Sequence, residues 1–153
     1  MKAIFLFLIL CLACGVAAAS DSSNCEAAKR VVEQYIALDL LGEGTQASEK
    51  MGKLIDYRGR DAPGWDSFVL TSESRIKSCK DFGNRADIVV AHTVHGTIFP
   101  ADGVEISQFL SKPLTEDFTE LRLNKTAHGW KIDSPSVYVP HVGIAAAKRI
   151  FKP

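Results

Sequence analysis

The run DIVVAHTVHGTIF, residues 87–99, decides the fold. Side chains alternate across a strand, so Ile88, Val90, His92, Val94 and Ile98 share one face. A face that apolar belongs against a core, and the run predicts one long central strand. Downstream, Phe118 to Lys125 and Gly129 to Asp133 predict a hairpin across Thr126-Ala127-His128-Gly129. Upstream, Phe68 to Cys79 predicts a strand with a polar Ser72-Glu73-Ser74 centre, followed by a turn from Lys80 to Asn84. Between these, Pro100-Ala101-Asp102-Gly103 reads as a turn and Val104 to Leu110 as a weaker strand. Pro135 and Pro140 break the sheet. Val142 to Phe151 then predicts a short closing helix, with Lys148, Arg149 and Lys152 at the end where the helix dipole favours cations.

Helical periodicity precedes the strands. Ala28, Val31, Val32, Tyr35, Leu38 and Leu41 recur at three- and four-residue steps and make one apolar stripe. Ser23 and Glu26 have the spacing of a capping box at its start, and Gly42 and Gly44 stop it. Thr45 is placed to cap a second, shorter helix with Ala47, Met51, Leu54 and Ile55 inward, and Tyr57 to Gly64 is a turn-rich connection. Helices first, then a run of antiparallel strands, gives an α+β fold. Its N-terminal helices pack on one face of a curved antiparallel sheet, a short helix closes the chain, and residues 20–153 make a single domain.

The first nineteen residues set the compartment. Lys2 is followed by an uncharged run from Ala3 to Ala19 that ends in Ala17-Ala18-Ala19, the layout of a secretory signal peptide. An uncleaved anchor and a lipidated Cys14, which follows Leu12-Ala13, are the rival readings. Removing the leader takes one of the 18 Lys and Arg and none of the 18 Asp and Glu, leaving a net charge of −1. That balance argues against nucleic acid and against electrostatic attachment to a membrane surface. No later stretch reaches the ~20 apolar residues that span a bilayer. In an oxidising compartment Cys25 and Cys79 are expected to pair, the alternative being two unrelated buried thiols. With no C-x-x-C spacing, neither a redox motif nor a zinc knuckle is indicated.

Taken together, a long amphipathic first helix, a long central strand and a hairpin ending in Gly129-Trp130-Lys131-Ile132 resemble the nuclear-transport-factor-2-like, cystatin-like superfamily, in its secreted bacterial form. The resemblance covers residues 25 to 135, and the helix after the last strand departs from its simplest pattern. It implies a cone whose sheet wraps a pocket against the first helix, and pairing of copies through the open sheet face. It does not choose an activity: isomerases, dehydratases, binding proteins and toxin-neutralising proteins share the fold.

Four residues are candidates to line such a pocket. His92 is the polar member of an apolar row, able to donate to a ligand or act as a base; a core histidine satisfied by its neighbours is the other reading. His95 points the opposite way, toward solvent. Tyr35 on the first helix could supply an oxyanion donor. Glu120 and Arg122 lie opposite Leu121 and Leu123, which puts them outside; were Phe118 inward, Arg122 would enter the pocket and bind an anion. Trp65 is either a lid or an ordinary packing aromatic, while Trp130 and Ile132 belong to the core. A proton-transfer enzyme also needs an inward carboxylate. No Asp or Glu falls on an apolar strand face, and Asp66 and Asp87 qualify only if the strand limits shift. The four histidines have no metal-ligand spacing, no cofactor motif is present, and Asn124-Lys125-Thr126 is formally a glycosylation acceptor. The expectation is therefore a secreted or periplasmic non-catalytic domain. It would bind a small ligand or a protein partner, as an immunity-type or accessory protein does. An isomerase- or dehydratase-like enzyme with an apolar pocket is the alternative.

Overall fold

The alternation of residues 87–99 is realised as the middle of a six-stranded sheet. A computed structural model describes residues 17–46, 48–58, 64–100, 104–133 and 139–151, with side chains from Ser23 onward. Residues 1–16 of the expected leader, Cys14 with them, and the expected inward Ala47 lie outside the described residues. The elements run α1 (Ala17–Leu40), a 3-10 turn (Glu43–Thr45), α2 (Glu49–Leu54), β1 (Ile55–Asp56), β2 (Phe68–Asp81) and β3 (Arg85–Ile98). They continue with α3 (Ile106–Leu110), β4 (Thr115–Thr126), β5 (Gly129–Asp133), β6 (His141–Gly143) and α4 (Ile144–Ile150).

Strand order is β1-β5-β4-β3-β2-β6. The four long central neighbours pair antiparallel, while the short edge strands β1 and β6 run parallel to β5 and β2. Register shifts between β2 and β3 leave His95, Ser72 and Lys77 as extra residues. Such bulges bend and twist a ladder, and here they curl the sheet into a half-barrel. The fold is thus α+β, with N-terminal helices against a curved sheet and a short C-terminal helix.

Several sequence readings are corrected: Ser48 and not Thr45 precedes α2, and residues 141–143 form the edge strand β6 before the closing helix begins at Ile144. Val104 to Leu110 does not make a strand: residues 106–110 form the short helix α3. Ile106 is buried and Phe109 half-buried, three residues apart as a helix face requires, and the Glu105 carboxylate accepts from Ser107 Oγ and Gln108 Nε2 at 2.8 Å each. Ser23 does not cap α1, because the described helix already runs through it from Ala17; Glu26 instead accepts from Lys29 Nζ at 2.8 Å one turn on. At the other end Gly42 does end the helix. Its φ of 84° is left-handed, a conformation glycine adopts without Cβ strain. Ile55 leaves α2 for β1, pairing with Ile132.

Two apolar clusters lie on the concave side. In the first, Ala28, Val32 and Tyr35 of α1 meet Ile88, Val90, Leu121, Leu123, Trp130 and Ile132. In the second, Phe68, Leu70, Ile98, Ile106, Val142, Ala146 and Ala147 gather under α3 and α4. A Cys25–Cys79 disulfide, Cα atoms 6.0 Å apart, ties the start of α1 to β2. It closes a span of 54 residues, and a loop of that size is worth about 4 kcal/mol by restricting the unfolded chain. Among the described residues no helix is long and apolar enough to cross a membrane.

Candidate functional site

Most of the buried polar residues sit where the two apolar clusters meet. Asp39 is 2 % exposed, His92 5 % and His141 6 %, with Thr71 and Thr119 also buried. The topology explains the meeting. Asp39 lies four residues after Tyr35 on the buried stripe of α1, His92 continues the inward row of β3, and β6 carries His141 to the edge of β2. The His92 and His141 rings stack with centroids 3.7 Å apart and planes 11° from parallel. Ser74 Oγ pairs with His92 Nδ1 at 2.8 Å across the β2–β3 ladder. The backbone N–H of His141 donates to Asp39 Oδ2 at 2.9 Å, and its Nδ1 lies 3.8 Å from the same oxygen.

Space around Asp39 is tight. A Cβ on Gly44 would stand 2.4 Å from Asp39 Oδ1, so only glycine lets the chain after α1 fold back over the carboxyl. Asp39 Oδ1, His92 Nε2 and His141 Nε2 are all buried and have no hydrogen-bond partner among the described residues.

Burial governs the charges here. It pushes the Asp39 carboxyl up to about 7, against the backbone N–H of His141, which works the other way. It pushes His141 down to about 3, helped by His92, while Asp117 opposes. His92 is lowered for the same reason, again opposed by Asp117, its register partner on β4. The Tyr35 hydroxyl is raised by burial and then by Asp39 and Tyr57. Burial thus holds both imidazoles toward their neutral form and leaves the Asp39 carboxyl about half ionised at pH 7. A carboxyl near 7 can take and return a proton at working pH. A shared metal ion is a poor fit, since no cation lies in two parallel ring planes at once. Among the described residues no group of three or more His, Cys, Asp or Glu is arranged to hold one.

The four sequence candidates are not brought into one pocket. His92 faces the interior, within the polar seam. Tyr35 is buried in the first cluster, and half-buried Trp65 packs against the second. Arg122 is on the outer sheet face, its Nε 3.5 Å from Asp87 Oδ1, because Thr119, Leu121 and Leu123 take the inward positions of β4 and Phe118 points out. His95 is not solvated as expected: at its bulge it is half-buried, with both ring nitrogens buried.

Sequence reasoning missed Asp39 and His141. It sought a carboxylate on the strands, yet Asp39 continues the series 28, 32, 35, 39 on α1, a legible sign that it points inward. A cleft of about 430 Å³ lies elsewhere, lined by both half-cystines and by Glu26, Lys29, Lys77 and Asp81.

No protein-family model matches the sequence, and no curated protein is detectably similar to it. Among solved structures, the crystal structure of Kfla4162 protein from Kribbella flavida is similar with a TM-score of 0.42 and 13 % identity, over 75 % of this chain and 87 % of that one. A likeness of that strength carries no argument about fold or activity.

Proposed function

We propose that the protein is an exported, non-catalytic domain of the nuclear-transport-factor-2-like kind that binds a protein partner through the outer side of its sheet. One observation carries this reading. Phe99, just after β3, Leu114, just before β4, and Phe118 in β4 are 52, 56 and 53 % exposed. Leu114 and Phe118 share the outer face, where Phe118 stands opposite Ala91 and beside the Arg75–Glu116 ion pair. Apolar side chains rimmed by charge are the usual make-up of a protein-binding patch. The concave side, by contrast, is filled by Tyr35, Met51 and Trp130 where a small ligand would sit.

A mature protein bearing Leu114→Glu and Phe118→Glu should fold normally and lose the partner that the wild type captures from a secreted or periplasmic fraction. Equal capture by both proteins refutes the patch. Sedimentation at rising concentration separates a second copy of the chain from a different protein.

A second reading is favoured by Asp39. Proton transfer on an apolar small molecule needs the inward carboxyl that the strands lack, and α1 supplies it one turn from Tyr35. That reading requires ligands that bind the wild type and fail to bind Asp39→Asn. A library of small apolar carbonyl compounds that shows no binding by ligand-observed NMR removes it.

A further inference from the structure

The polar contacts that fasten residues 139–151 among the described residues go to two places, the start of β2 and the C-terminal end of α1. The Val69 N–H donates to Pro140 O at 2.9 Å, and β6 pairs with only Val69, Leu70 and Thr71. The His141 N–H is held by Asp39, and Arg149 donates to Leu41 O at 2.9 Å, satisfying a carbonyl at the helix end. Under this segment lie Phe68, Leu70, Ile98 and Ile106, which Val142, Ala146 and Ala147 cover.

Its central contact is two imidazoles at 3.7 Å, each with a buried Nε2 that has no acceptor among the described residues. Among the described residues, the titratable groups that bear on the pair are Asp39 from α1, which holds His141, and Asp117 from β4, while Tyr35 of α1 bears on Asp39. Ser74 from β2 contributes only a hydroxyl, and Arg149 of α4 is engaged outside, at Leu41. With each neutral ring carrying its N–H at Nδ1, toward Ser74 and Asp39, an added proton goes to a buried Nε2 that no described residue receives, and a second proton would put two cations face to face.

We propose that β6 and α4 form an acid-released clasp: protonation of the His92–His141 stack frees residues 139–151 from α1 and the sheet edge and uncovers Phe68 and Leu70. The proton count follows from the groups themselves. Below neutrality the closed clasp holds one proton, on the buried Asp39 carboxyl, and none on the two depressed imidazoles. The open clasp holds two, one on each histidine, while Asp39 in water gives its proton up. Opening therefore takes up one net proton. The opening constant rises about tenfold per pH unit once the pH is about a unit below ~6.5, the ordinary histidine value.

Amide hydrogen exchange on the mature, disulfide-intact protein tests this, with each rate divided by its intrinsic value at the same pH. From about pH 5.5 to 4.5, protection at residues 141–143 should fall about tenfold, while protection at 119–123 in β4 holds. His141→Gln and His92→Gln each remove one proton from the open form and should flatten the dependence. Asp39→Asn removes the proton of the closed form and should steepen it to about a hundredfold per unit. The last two substitutions change the slope in opposite directions, so the count can still be read if His141→Gln fails to fold. Protection at 141–143 that stays constant with pH, that falls in step with β4, or that keeps the wild-type slope in the variants overturns the proposal.

Discussion

Asp39 sits in the last turn of α1, where the carbonyl ends of the helix already concentrate negative charge. Burial there raises the carboxyl from its usual 3.8 to about 7. A raised acid favours the fold while it is protonated, so its contribution is full below 3.8 and lost as pH rises through 7. His141 has the opposite sign: depressed from 6.5 to about 3, it contributes above 6.5 and its contribution is lost as pH falls toward 3. Calorimetry on Asp39→Asn should show a melting temperature that gains on the wild type between pH 5 and about pH 7 and levels off above it. A constant offset would mean the carboxyl is not buried as described. Gly44→Ala tests the same pocket sterically. With an added Cβ only 2.4 Å from Asp39 Oδ1, it should cost roughly 1–3 kcal/mol in denaturant unfolding, whereas Gly64→Ala, with open space around it, should cost little.

Among the elements, the disulfide makes the clearest claim. It joins α1 to β2 beside the bulge at Lys77, and Cys79→Ser should lower stability by about 4 kcal/mol in urea unfolding. A change under 1 kcal/mol would show that α1 is held by packing alone. The long strands and the hairpin were legible in the sequence because period-2 alternation over Ile88 to Ile98 and over Thr119 to Leu123 survives in their burial. The short elements were not. In α3 the spacing of Ile106 and Phe109 competes with an alternation of Val104 and Ile106, and five residues are too few for a period to declare itself. The start of α1 escaped because Ser23 and Glu26 satisfy a capping pattern that longer helices also contain by chance. The site was half legible. His92 stood out in an apolar row, but its stacking partner His141 comes from a three-residue edge strand that carries no periodic signal, 49 residues away by number.

For the whole molecule, we propose that an exported, crosslinked half-barrel meets a partner at the outer end of its sheet. Export itself is checked by intact mass of the secreted protein without reductant. The account expects a chain that starts at Ser20 and is two hydrogens lighter than the dithiol; free-thiol labelling of both Cys25 and Cys79 would contradict it. The most direct measurement concerns where a partner touches. A photo-crosslinking residue is placed at position 118 in one protein and at position 77, beside the disulfide, in another, and both are irradiated in their native secreted fraction. The account predicts one discrete protein adduct from position 118 and none from position 77. No adduct from position 118, or the same adduct from both, would contradict it.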